Sequence, residues 1–93
     1  LYSNYPNPFN ASTSITFEIA KPGEVEIVLL NIQGEYVKTL IQDKMEPGIH
    51  HVNWDATDNN GLKVPSGIYI NLINVIQDNS LLFHKTQKLI LIK

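Results

Sequence analysis

The stretch GIHHVNWDATDNNGLKVPSGIYI, residues 48–70, decides the fold. His50, Val52 and Trp54 alternate with Ile49, His51 and Asn53, the period-two pattern of a strand with one buried face. The single tryptophan therefore falls mid-chain on a strand, where it can fill the space between two sheets. Residues 55–61 are a run of Asp, Asn and Gly, the composition of a tight loop. Pro65, Ser66 and Gly67 punctuate again before a long β-prone segment, 68–76.

The same period extends in both directions. Ile15, Phe17 and Ile19 alternate with Thr16 and Glu18, and Val25, Ile27 and Leu29 repeat the pattern across 25–31. Between them Pro22 presets φ and Gly23 is expected to supply φ > 0 in a turn. A short connection, 31–35, places Gly34 at a left-handed position before a strand over 36–41. Asp78, Asn79 and Ser80 turn the chain a last time, and 81–93 is extended, with a break expected near Thr86. No window carries the 3.6-residue period of a helix. About seven short strands separated by regular turn signals predict an all-β fold, an antiparallel β-sandwich in preference to a small closed barrel.

The 93 residues fit one domain, with 1–12 as an extended lead-in and 13–93 as the sandwich. In the lead-in, Pro6 and Pro8 bias Tyr5 and Asn7 to extended geometry, and Phe9 is expected to anchor the segment on the sandwich rim. The chain opens at Leu1 rather than methionine, so the expectation is a domain within a longer polypeptide. Seven basic against nine acidic residues give a net charge of −2, too little field to attract nucleic acid or anionic lipid. The absence of cysteine removes disulfides, thiolate metal sites and cysteine nucleophiles. No apolar run approaches the roughly 20 residues of a membrane-spanning helix.

Few residues suggest chemistry. Asp55, Asp58, Asn59 and Asn60 are hard oxygen donors suited to Ca²⁺, with Asp55, Asp58 and Asn60 the weak candidate set. The spacing is not that of an EF-hand, however, because Gly61 falls one place late and no Glu closes the loop. The favoured reading is a turn held by side-chain bonds to backbone N–H groups. His50 and His51 point to opposite faces of their strand and cannot chelate one ion together; a third zinc ligand from Asp55 or His84 has no supporting spacing. No nucleophile elbow, phosphate-cradling loop or carboxylate motif accompanies the serines and histidines, and the expectation is no enzyme and no cofactor. Tyr36, Trp54 and Tyr69 could stack a sugar, although Trp54 reads better as core. Asn10-Ala11-Ser12 fits a glycosylation triplet, of consequence only in a eukaryotic secretory pathway.

The ending, QKLILIK at 87–93, is an apolar strand bracketed by lysines, an aggregation hazard if left loose. One row of its side chains is expected to close the core and the other to face outward. Val28 and Leu30, Ile73 and Val75, and both faces of 89–92 are also apolar, so either some strands are covered on both sides or an outer surface is offered to a partner.

Four stretches in order resemble the type A C-terminal sorting domain of bacterial type IX (Por) secretion, found in Bacteroidetes and their relatives. YPNPFNASTSI at 5–15 looks like the family's opening, with Ala11 where proline is usual. Asn31, Gly34, Val37 and Leu40 are similar to its hairpin. Residues 47–55 with Asp58, Gly61, Val64, Ser66, Gly67 and Tyr69 resemble its most diagnostic block, with Ala56 where glycine is frequent. The tail resembles the family's basic-apolar ending. A related domain, the Ig-like domain of the flagellar hook-capping protein, looks alike in the hairpin and the Trp-Asp block; the terminal lysine and the YPNPFN opening favour the sorting domain.

The resemblance implies an immunoglobulin-like antiparallel β-sandwich, a non-catalytic module at the C-terminus of a cargo protein that precedes Leu1. It also implies secretion through the periplasm of a Gram-negative bacterium to the cell surface or medium. Shuttle and translocon proteins would read the domain, and a sortase-like peptidase would often remove it. Carried over position by position, Lys88, Leu89, Leu91 and Lys93 would be the terminal signal. Pro6, Pro8, Phe9, Gly34, Gly48, Trp54, Asp55, Gly61, Gly67 and Tyr69 would define the fold. The rival function is an accessory extracellular domain that binds carbohydrate or Ca²⁺ beside an enzyme or adhesin.

Overall fold

The computed structural model of the chain describes residue 8 and residues 11–92, with the backbone alone at 81–83. Six strands follow one another: β1 (Thr13–Ile19), β2 (Gly23–Asn31), β3 (Tyr36–Met45), β4 (Gly48–Trp54), β5 (Gly67–Gln77) and β6 (Ser80–Leu91). They form an antiparallel two-stranded sheet, β1-β4, and a four-stranded sheet in the order β3-β2-β5-β6. The chain changes sheet between β1 and β2, between β3 and β4, and across the long connection from β4 to β5. Such a sandwich lets every alternating strand bury one face.

Alternation decides which face that is. Ile15, Phe17 and Ile19 from β1 and Trp54 from β4 meet Val25, Ile27 and Leu29 from β2, Tyr69, Ile73 and Val75 from β5, and Leu89 and Leu91 from β6. The core forms two clusters, one around Trp54, Tyr69, Leu89 and Leu91, the other around Phe17, Val25, Ile27 and Ile73. Val52 and Leu40 pack against both. Between Tyr69 and Ile73, β5 sends Asn71 inward, fully buried, with no partner for its side-chain oxygen or nitrogen.

Three local details depart from the sequence reading. β3 continues to Met45 instead of ending at residue 41, and its apolar residues do not alternate because two bulges interrupt it. The β2 partner jumps from Ile41 to Thr39 and again from Lys38 to Tyr36, so the skipped Leu40 and Val37 both turn toward the core. β6 runs unbroken through Thr86, which pairs with Leu72; this removes the expected break and leaves six strands. Gly23 is not among the positive-φ residues but is the first residue of β2. A Cβ there would lie 3.0 Å from the Ile76 carbonyl oxygen, a tight contact, so glycine accommodates the close approach of β5.

Candidate recognition surface

At the Trp54 end of the sandwich the β4–β5 connection is tied down by its own side chains. The Trp54 indole N–H donates to the Thr57 carbonyl at 2.9 Å, and the Tyr69 hydroxyl donates to the Pro65 carbonyl at 2.5 Å. The Thr57 hydroxyl donates to an Asp55 carboxylate oxygen at 2.5 Å, and Lys38 reaches across from β3 to Thr57 (2.9 Å) and Asp55 (3.7 Å). That hydrogen bond from Thr57 holds the Asp55 carboxyl below its ordinary value; partial desolvation opposes it and Lys38 reinforces it. Burial pushes the Tyr69 phenol up.

Of the candidate calcium donors, the Asp55 and Asp58 carboxylates are engaged in this turn. Asp58 accepts hydrogen bonds from the amides of Asn60 (2.9 Å) and Leu62 (3.1 Å), the role expected of an Asp-initiated loop. The Asn60 backbone thus serves the turn, and Ala56 takes a left-handed φ of 63° at the position where the resembling family often carries glycine. Among the described residues, no three metal-ligating His, Asp or Glu side chains come together. His50 and His51 do face opposite ways: His50 stacks on Phe17 with centroids 5.6 Å apart, and His51 bonds Thr16.

The sugar-stacking trio does not assemble. Trp54 and Tyr69 lie inside the core with an edge-on ring contact, and Tyr36 alone of the three is exposed. Its hydroxyl bonds Thr39 and the Asn59 side chain, which joins β3 to the β4–β5 connection. Beside them lies an open groove of about 490 Å³ bordered by Ile32, Tyr36, Asn59, Pro65 and Ile68.

One role was not read from the sequence. The Asn31 side-chain oxygen accepts from the amides of Gln33 (3.0 Å) and Glu35 (2.9 Å), and its amide donates to Glu35. With Gly34 at φ 83°, this bond set makes the Asn-x-x-Gly spacing a physical unit, which is the signal that could have revealed it.

Among the described strands β6 is the outermost of its sheet and pairs with β5. Lys88 stands opposite Ile70 and Ile90 opposite Ile68 on the outer face, while Leu89 and Leu91 face the core at 0% and 1% exposure. Of the residues carried over as the terminal signal, Leu89 and Leu91 therefore form the row that closes the core, and Lys88 lies on the opposite face. The side chains on its outer face are the exposed Lys88, the partly buried Ile90 and the half-exposed Ile92. Pro8 is exposed; Pro6, Phe9 and Lys93 lie outside the described residues. Gly48, Gly61 and Gly67 all take positive φ at turns or strand starts.

These features define an immunoglobulin-like β-sandwich. The model of the FlgD Ig-like domain matches residues 3–74, and the chain belongs to that family. Among solved structures the chain is similar to part of dimeric latent PorU from Porphyromonas gingivalis, with a TM-score of 0.77 and 18% identity, a likeness of fold. The match covers 96% of this chain and 9% of that one, so the chain spans a small part of the longer protein it resembles. No curated protein matches.

Proposed function

We propose that the chain is a non-catalytic C-terminal sorting module of type IX secretion. In this reading it directs a cargo protein, attached before Leu1, across the outer membrane to the cell surface. The observation that carries the reading is the placement of the tail: β6 is anchored by Leu89 and Leu91, with Lys88, Ile90 and Ile92 turned outward. A receptor can read the outward side chains of such a strand in a groove, with alternate positions supplying specificity. The resemblance of the opening and tail to sorting domains supports the same reading. Shuttle and translocon proteins are the partners it requires, and a sortase-like peptidase would act after export.

The test separates recognition from folding. Deleting residues 88–93 from a cargo fusion is expected to hold the cargo in the periplasm. Replacing Lys88, Ile90 and Ile92 by Gln, Ser and Ser should do the same while the sandwich still melts cooperatively. Secretion of the triple variant at the normal level would sink the reading. A second reading, an Ig-like module of a hook-capping protein, is favoured by the family match. It predicts a hook protein segment before Leu1, where the sorting reading predicts an exported hydrolase or adhesin.

A further inference from the structure

Asn60 is the one asparagine of the chain that is followed by glycine. Both residues are exposed, and the Asn60 side chain makes no hydrogen bond among the described residues. Gly61 takes a φ of 79°, a left-handed backbone for which glycine is the default, so the turn itself calls for the glycine of this pair. The Asp58 amide donates to the Leu62 carbonyl at 2.8 Å and the Gly61 amide to the Asp58 carbonyl at 3.0 Å, which makes 59–61 a three-residue hairpin loop. An antiparallel bridge between Thr57 and Lys63 closes it. The Asp58 carboxylate takes the amides of Asn60 and Leu62. One residue therefore holds the Gly61 nitrogen and the amide on each side of it.

We propose that Asn60 is a site of spontaneous deamidation in the folded domain, and that Asp58 sets its rate by holding the Gly61 amide. Glycine has no Cβ to shield its nitrogen, so a Gly61 nitrogen that has lost its proton to a solvent base can reach Cγ of Asn60. A bond forms between them, the Cγ–Nδ2 bond breaks, and Nδ2 takes a proton from water and leaves as ammonia. The product is a five-membered succinimide. Water opens it at either carbonyl, giving aspartate or isoaspartate, in which the chain runs through the former side-chain carbon. While the Gly61 N–H is donated to the Asp58 carbonyl, its proton is withheld from base and the turn fixes the backbone, so the reaction waits for local opening. Nearby asparagines lack this combination. Asn59 precedes Asn60, and its side chain accepts from the Thr39 amide (3.3 Å) and donates to the Tyr36 hydroxyl. Asn79 precedes Ser80, whose Cβ crowds the nitrogen. An isoaspartate adds one carbon to the backbone at the loop tip and moves Gly61 and Leu62 off their Asp58 acceptors. Because Asn59 ties the same loop to β3, the modified loop holds β3 less firmly.

The test compares the folded and the urea-unfolded native chain in warm, mildly alkaline buffer, with peptide mass spectrometry reading succinimide, aspartate and isoaspartate at residue 60. Product is expected at that residue in the folded chain, about tenfold more slowly than in the unfolded one, because the hydrogen bonds of the turn must open first. Asp58→Ala, shown to be folded by circular dichroism, should raise the folded rate about fivefold. Asp58→Asn, which keeps an accepting oxygen, should restore most of the delay, a rescue that a general loss of stability does not give. Hydrogen exchange at the Gly61 amide of the native chain should be slowed by about the same tenfold, and this measurement decides the matter if Asp58→Ala does not fold. An Asn60 that stays intact in the folded chain while the unfolded chain converts overturns the proposal. So does a folded chain that converts as fast as the unfolded one, a folded Asp58→Ala that keeps the native rate, or a Gly61 amide that exchanges without protection.

Discussion

The Trp54 indole meets the Tyr69 ring edge-on, with centroids 5.2 Å apart and planes at 70°. Both rings then fasten the same connection, Trp54 through the Thr57 carbonyl and Tyr69 through the Pro65 carbonyl. The contact between β4 and β5 is therefore also what closes the segment between them. Edge-to-face pairs add about 0.5–1.5 kcal/mol beyond area burial, and each buried hydrogen bond adds about 1 kcal/mol.

Tyr69→Phe keeps the ring and removes the hydroxyl, leaving the Pro65 carbonyl without that donor. The expected loss is about 1–2 kcal/mol in urea unfolding at neutral pH. The same variant has a pH signature. Because burial raises the Tyr69 pKa, its neutral form contributes stability that is fully present below the unfolded value of 10.0 and is lost as pH rises through the folded value. The native chain should destabilise more steeply above about pH 10 than Tyr69→Phe does. Parallel alkaline curves for the two would contradict this account.

Asp55 gives the opposite dependence. Its folded pKa is lowered, first by the Thr57 hydrogen bond, so its contribution is present above the unfolded value of 3.8 and is lost as pH falls through the folded one. Its side chain is 60% exposed, which keeps the ion pair with Lys38 to about 0–1 kcal/mol. Asp55→Asn should flatten the acid limb of the stability curve below about pH 4 and change neutral stability little. Thr57→Val, which removes the larger cause, should flatten it more than Lys38→Met does.

The sandwich was legible because its strands alternate cleanly where they do not bulge. Ile15, Phe17 and Ile19, and Val25, Ile27 and Leu29, face the core as their period requires. β3 was legible only to residue 41 because bulges at Val37 and Leu40 break the period on which the reading depends. Gly23 reads as a turn residue in sequence because sequence does not distinguish a left-handed backbone from crowding by the Ile76 carbonyl, a contact from a distant strand. At the tail, alternation divides the leucines from the isoleucines but does not say which row lies inside. That depended on the β5–β6 register, which a bulge between Val75 and Ile76 shifts.

The β5–β6 register has a local determinant that mutation can reach. Gln77 pairs with Ser80 across a two-residue turn in which Asp78 and Asn79 take φ of 52° and 61°. Positive φ at both central positions is the type I′ pattern, for which Asn-Gly or Asp-Gly is preferred. Asn79→Gly should stabilise the domain by about 0.5–1 kcal/mol, and Asn79→Val should cost about 1–2 kcal/mol through left-handed strain. Both substitutions are read in the urea midpoint, with an unchanged slope expected for the glycine variant.

Asn71 offers the sharpest energetic test. It sits on β5 between the two core clusters, opposite Gln87 of β6, with its side chain fully buried and both polar atoms without hydrogen bonds. A buried amide in that state costs about 1–3 kcal/mol relative to an apolar group of similar shape. Asn71→Val also suits a strand better, since a β-branched side chain packs well on a pleated surface. The variant is expected to unfold at higher urea, with a gain of about 1–2 kcal/mol. If stability falls instead, the amide has partners inside the domain and the two clusters are joined by a polar contact. A gain would mean that the chain carries an uncompensated polar group at the middle of the β5–β6 pair, the pair that sets where the terminal strand lies. The Asn71→Val variant, placed in a cargo fusion, then asks whether secretion tolerates a terminal strand held more firmly. Under the sorting reading, a folded domain with unchanged outward side chains should still be exported at the native level.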